Sequence, residues 1–139
     1  MFMSDISIIV RRMRTQAEHA MGGLEVGFPE QLVLMFLHGH GPSNQEAIVS
    51  TLGVDKGAIA KTIAKLEAKN LVTRQVNPRN KREKIVSLAP KAHQITQAME
   101  DARASLNASL FAGFTPEEIS QTCALLERMA QNVSEDGKE

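Results

Sequence analysis

The 139-residue sequence has a single cysteine, Cys123, so it can form neither an internal disulfide nor a Cys-x-x-Cys zinc site. No apolar run approaches the ~18 residues that cross a bilayer. The opening MFMSDISIIVRRMR carries its charges after a short apolar stretch rather than before it, the reverse of a signal peptide. A cytoplasmic protein is expected. The groupings that catalysis needs are also missing: there is no Ser-His-Asp or Cys-His arrangement at strand-to-helix turns and no glycine-rich phosphate cradle. Four scattered histidines complete the list, and His38 and His40, beside glycines at a helix end, read as capping or surface residues. No enzyme, no bound metal and no cofactor are expected.

Net charge is absent too, with 16 cationic and 16 acidic residues, but the balance conceals a dipole. From Gln45 to Lys91 ten cations face four acids, a charge of +6, and the rest of the chain carries −6. Such a segment suits a polyanion, because phosphate contacts supply most non-specific nucleic-acid affinity. A solvated lysine face would give the same count, and charge alone does not separate the two. With 42% hydrophobic and 23% charged residues the chain should fold, and its length suits one domain, 1–139, around one core.

Residues 6–21 set Ile6, Ile9, Val10, Met13, Ala17 and Ala20 at three- and four-residue spacing, an amphipathic helix stopped by Gly22 and Gly23. A second helix is expected from Phe28 to His38, with Pro29 in its first turn and an almost all-round apolar surface, ended by Gly39 and Gly41-Pro42. Ser43-Asn44-Gln45-Glu46 fits a capping box with Ser43 as the cap, and a short third helix then turns Ala47, Ile48 and Leu52 inward until Gly53. Asp55 supplies the anionic start of a fourth helix. Its stripe of Ile59, Ile63 and Leu66 leaves Gly57, Lys61, Ala64, Lys65 and Ala68 on the opposite, small and basic face. Two helices joined through a short turn containing glycine make a helix-turn-helix.

Two β-prone runs follow, residues 71–76 and 84–88, around the turn Asn77-Pro78-Arg79-Asn80. Arg79, Lys81, Arg82 and Lys84 crowd the tip at a density that repels itself without a polyanion. A helix-turn-helix continued by a basic hairpin is a winged helix. Further on, Ile95, Ala98, Met99, Ala102, Leu106 and Leu110 form one helical stripe. After the capping start Thr115-Pro116-Glu117-Glu118, a second stripe runs through Ile119, Cys123, Leu126, Ala130 and Val133. Cys123 is expected to be buried and inert there, and residues 134–139 to form a loose tail. Helices with apolar stripes outside a small core imply a partner, most simply a second copy of the chain.

The stretches Leu52-Gly-Val-Asp-Lys56, Leu66-Glu-Ala-Lys-Asn-Leu-Val-Thr-Arg74, Asn77-Pro-Arg-Asn-Lys-Arg82 and Ile85-Val-Ser-Leu88 resemble the multiple-antibiotic-resistance regulator (MarR) family of bacterial winged-helix transcription factors. The resemblance implies a mainly α fold with a small β-hairpin wing, a DNA-binding core at 28–89 and dimerisation helices at 1–22 and 91–133. It also implies a homodimer on double-stranded DNA, with the fourth helix in the major groove and the wing at the minor groove. In that family small phenolic or anionic molecules commonly bind between the two parts and release the DNA. The sequence departs from the family pattern at three positions. Asn80 stands where an aspartate would orient an arginine, which would loosen the wing. Gly57, Ala58 and Ala60 replace hydroxyl residues, so base contact falls to Lys56, Lys61 and Thr62, with Ser43 and Gln45 from the preceding helix. Glu83 replaces a small residue and should oppose phosphate.

The expected DNA-facing set is therefore Ser43, Gln45, Lys56, Gly57, Lys61, Thr62, Lys65, Arg79, Lys81 and Arg82. Residues named for an effector pocket are Arg12, Met13, Gln16, His19, Phe28, Leu32 and Phe36, which would serve equally as ordinary core. The competing reading is a winged helix that assembles with proteins, which would more often show apolar residues on the wing than Arg79, Lys81 and Arg82.

Overall fold

Helical propensity and capping account for most of the element order. The computed structural model describes residues 1–20, 22 and 26–135. Helices α1 (Phe2–Ala20) and α2 (Phe28–His40) are followed by a short strand β1 (Ser43–Asn44), then α3 (Gln45–Leu52) and α4 (Lys56–Ala68). Strands β2 (Val72–Asn77) and β3 (Asn80–Leu88), a 3-10 turn over Pro90–Ala92, α5 (His93–Leu110) and α6 (Pro116–Glu135) complete the chain. Two compact units divide it, residues 1–104 and 105–139.

In the first unit the core is built where the apolar stripes of α2, α3 and α4 meet the sheet. Leu34, Ile48, Ile63 and Leu66 are completely enclosed there, with Val72 and Val86 from β2 and β3 and Ala92 and Ile95 beyond them. Each of the leucine, isoleucine and valine side chains stabilises the fold by about 1.5–3 kcal/mol through removal from water. The sheet is antiparallel in the order β1-β3-β2, with Ser43 opposite Val86 and Val72 opposite Leu88. The hairpin expected from sequence is thus the larger part of a three-stranded sheet. Two residues of β1 carried no alternation that sequence reading could detect.

Turn chemistry sets the entry to α3, though one residue later than expected. Asn44, not Ser43, is the cap: its Oδ1 accepts from the Ala47 N–H at 2.8 Å. Ser43 instead donates its hydroxyl to the Gly41 carbonyl at 3.0 Å, because its backbone is already committed to β3. Helix α2 continues through Gly39 to His40 and stops at Gly41, whose φ of 78° a side chain would resist. Helix α3 ends at Gly53 in the left-handed region, φ 62° and ψ 29°.

Helix α1 begins at Phe2 and has no buried residue, leaving Ile8, Ile9, Val10 and Met13 open. In the second unit Thr115 Oγ1 accepts from the Glu118 N–H at 3.2 Å, the expected cap of α6. Leu125, Leu126, Met129 and Val133 are exposed along that helix. Cys123 is exposed as well, which corrects the expectation of a buried thiol. Residues 134 and 135 are the last of α6 rather than tail, and 136–139 lie outside the described residues, as do Met21 and Gly23 at the expected end of the first helix.

Candidate nucleic-acid interface

Helix α4 is started by Asp55, whose Oδ2 accepts from the Ala58 N–H at 3.1 Å. Burial of Ile59, Ile63 and Leu66 fixes its rotation, and that rotation leaves Lys56, Gly57, Lys61 and Lys65 exposed in solvent. Gly57 has its own local reason: a Cβ there would lie 3.1 Å from Asp55 Oδ2, crowding the carboxylate that caps the helix. Thr62 corrects the sequence reading. It is 8% exposed, and its hydroxyl donates to the Ala58 carbonyl at 2.9 Å, so it serves the helix and is not open to a base. Ser43 and Gln45 are half-buried at the start of α3, with the Ser43 hydroxyl bonded to Gly41.

The wing turn is organised by two asparagines. Asn77 Oδ1 accepts from the Arg79 N–H at 3.0 Å, and Asn80 Oδ1 accepts from the Arg82 N–H at 3.2 Å. Asn80 therefore keeps an organising role through the backbone, where the family's aspartate was expected to act on an arginine side chain. Arg79, Lys81 and Arg82 all stand exposed. Glu83 does not project among them. It is half-buried in the β3 segment beside the turn and accepts from the side-chain amides of Asn44 and, at 3.1 Å, Asn77.

Two positive charges of this region are held by carboxylates of the fold. Lys69 meets the buried Glu30 with Nζ–O distances of 3.0 and 2.8 Å, joining the end of α4 to the start of α2. Arg74 on β2 donates twice to Glu67 on α4, at 3.1 and 2.9 Å. That bond holds the Glu67 carboxyl below its usual range and raises the Arg74 guanidinium above its own. By contrast Lys56, Lys61, Lys65, Arg79, Lys81 and Arg82 take no part in any ion pair of the described residues. Carboxylates of the fold hold Lys69 and Arg74, while the cations on α4's outer face and the wing tip remain available to an external anion.

The effector candidates do not share one environment. Arg12, Met13 and His19 are exposed on α1, and Gln16 is half-buried there with an enclosed Oε1 that has no hydrogen-bond partner among the described residues. Phe28 is exposed at the start of α2 with the Arg14 guanidinium 5.1 Å from its ring centre. Leu32 is half-buried. Phe36 is core, 6% exposed, and its ring stacks on His40 at 4.2 Å, so it lines no open surface. His40 Nδ1 also lies 3.1 Å from the Phe36 carbonyl oxygen, and His38 Nε2 lies 3.7 Å from Glu100. Among the described residues no three His, Cys, Asp or Glu side chains are grouped to hold a metal ion. No helix among them is long and apolar enough to cross a membrane.

A helix-turn-helix packed against a three-stranded sheet, with a basic outer helix face and a basic hairpin tip, is a winged helix. The sequence profile of the MarR family matches residues 29–84, the span from α2 through the wing. The whole chain is similar to the transcriptional regulator SlyA, with 26% identity, 97% of this chain and 95% of that one covered, and a TM-score of 0.84. It is also similar to a MarR transcriptional regulator from Methanosarcina mazei Go1, at 25% identity with 94% of each chain covered and a TM-score of 0.78. A MarR-family regulator from Listeria monocytogenes, complexed with 26mer DNA, shares the fold at 23% identity and a TM-score of 0.87, over 96% of this chain and 89% of its own. Residues 29–84 of this chain are thus similar to the MarR family, and the chain shares the fold of the transcriptional regulators it resembles.

Proposed function

We propose that this chain is a transcriptional regulator rather than an enzyme, acting in the cytoplasm as a homodimer on a pseudo-palindromic operator in double-stranded DNA. The observation that carries the reading is the division of its cations. Lys69 and Arg74 are held by Glu30 and Glu67, while the α4 face and the wing tip present Lys56, Lys61, Lys65, Arg79, Lys81 and Arg82 without an ion-pair partner among the described residues. Gly57 leaves room for close backbone approach between two of these lysines. In this reading residues 28–89 bind DNA, with α4 in the major groove and the wing along the backbone or minor groove, where arginine is favoured. The exposed apolar faces of α1 and α6 support residues 1–22 and 91–133 as the dimer-forming parts. Two α4 helices would then enter successive major grooves about 34–36 Å apart.

The reading extends to release by a small organic, phenolic or anionic, effector that changes this separation, which makes the regulator a ligand-released repressor. The enclosed Gln16 Oε1 on α1, without a partner among the described residues, is what favours such a ligand. The test is fluorescence anisotropy on the DNA upstream of the chain's own gene against a scrambled duplex at two salt concentrations. Preference of ~10³ or more supports a specific regulator. Absence of binding even at low salt would overturn the reading in favour of a protein-assembly module.

A further inference from the structure

Glu83 is the only acidic residue of the hairpin, yet it pairs with none of the wing's cations among the described residues. Its Oε1 accepts from Asn44 Nδ2 and its Oε2 from Asn77 Nδ2 at 3.1 Å. Both asparagines are already engaged elsewhere. Asn44 caps α3 through Oδ1 and is aligned opposite Ile85 of β3. Asn77 is the last residue of β2, and its Oδ1 holds the Arg79 N–H. One carboxylate therefore joins the cap of the helix-turn-helix to the turn of the wing.

The strand register explains how Glu83 comes to point that way. Pairing is regular from Val72 opposite Leu88 to Val76 opposite Lys84, then jumps to Asn77 opposite Asn80. Lys81, Arg82 and Glu83 are thus extra residues on β3, and a bulge of this kind re-aims side chains. Lys81 and Arg82 are left in solvent while Glu83 is half-buried.

We propose that Glu83 is a positioning residue for DNA binding: its clasp on Asn44 and Asn77 holds Arg79, Lys81 and Arg82 where they and α4 can engage one duplex together. The proposal rests on the reading of the chain as a DNA-binding regulator. Hydrogen bonds to a carboxylate are roughly twice as strong as neutral ones, so this pair restrains a hairpin tip that is otherwise tied only by its own turn. An unrestrained tip has more conformational freedom to lose on docking. Simple electrostatics makes the opposite prediction, because deleting an acid within a Debye length, ~8–10 Å, of phosphate should tighten binding to every duplex.

The sign of the effect decides between them. A duplex would be selected by the wild-type protein from a randomised pool, and anisotropy measured on it and on an unrelated duplex for wild type, Glu83→Ala, Glu83→Gln, Asn44→Ser and the Glu83→Ala/Asn44→Ser double variant. Serine keeps a capping oxygen for α3 but removes the amide donor, so the clasp is broken without deleting the cap. Glu83→Ala and Asn44→Ser should each weaken binding to the selected duplex by about 5- to 30-fold, with the double variant no worse than either. Glu83→Gln, which retains one acceptor, should fall between, and binding of Glu83→Ala to the unrelated duplex should be unchanged or tighter. Equal or tighter binding of Glu83→Ala to the selected duplex, or losses that simply add, would overturn the proposal. If wild type selects no duplex, the functional reading itself fails. Amide hydrogen exchange then addresses the clasp alone: faster exchange across residues 77–84 in both single variants supports it, and unchanged exchange refutes it.

Discussion

The guanidinium of Arg74 on β2 and the carboxylate of Glu67 on α4 meet through two parallel hydrogen bonds, Nε to Oε2 at 3.1 Å and Nη2 to Oε1 at 2.9 Å. This fork ties the helix that presents the basic face to the strand that leads into the wing. It also has a pH signature. Because the folded carboxyl titrates below its ordinary value of 4.5, the pair's contribution is complete above that value and is lost as pH falls through the lowered one. Thermal melts of Glu67→Gln and wild type should therefore differ near pH 7 and converge under acid conditions. A difference that stays constant from pH 7 to pH 3 would contradict this account.

Lys61 and Thr62 are neighbours in sequence and opposite in exposure. Lys61→Ala should alter sequence preference, with about 1–3 kcal/mol lost at the base pair it reads. Thr62→Ala, which removes only a hydroxyl bonded to the Ala58 carbonyl, should leave the preference profile unchanged. Competition assays over single-base variants of the operator separate the two; a changed profile for Thr62→Ala would place its hydroxyl at the DNA.

Salt dependence distinguishes free cations from paired ones. Arg82→Ala should weaken binding to all sequences and lower the slope of log affinity against log salt by about one. Arg74→Ala removes the same charge from a residue already held by Glu67, and its slope should match wild type. Titrations between 50 and 200 mM salt read both, and an unchanged slope for Arg82→Ala would take the wing tip off the DNA.

The core under α4 sets how firmly that helix is presented. Ile63 is fully buried, so Ile63→Ala should cost about 2–5 kcal/mol of stability in denaturant unfolding. A loss below 1 kcal/mol would mean that the site collapses around the missing atoms.

Cys123 reports on assembly. It is exposed in the single chain and lies on the same helical stripe as the exposed Leu126. Its reaction with a maleimide should be fast in dilute protein and slow down as concentration drives dimer formation. A rate independent of concentration across the dimerisation range would move the interface away from this stripe.

Much of this architecture is local and was legible for that reason. The stripe of Ile59, Ile63 and Leu66, the caps Asp55 and Thr115, the stop at Gly53 and the turn at Pro78-Arg79 depend on residues within one or two turns of each other. The helix-turn-helix, the wing and the exposed Lys56, Lys61, Lys65, Arg79, Lys81 and Arg82 followed from them. What periodicity could not supply were the pairings between distant residues. Strand β1 exists only because Ser43 and Asn44 find Val86 and Ile85 some forty positions away, and that pairing moved the cap of α3 from Ser43 to Asn44. Thr62, adjacent to the buried stripe, was withdrawn by the rotation of α4 on the core.

The sequence by itself determined the element order, the apolar faces and where the positive charge lies, since helix periods, caps and turns are written in neighbouring residues. Only the tertiary structure decided which charges are free. Glu30 reaches Lys69 from 39 positions away, Glu67 reaches Arg74, and Glu83 turns from beside the wing turn to Asn44, so three carboxylates hold different parts of the fold. The energy of such a pairing depends on distance and burial, and these are set by packing of the whole core rather than by any stretch of sequence.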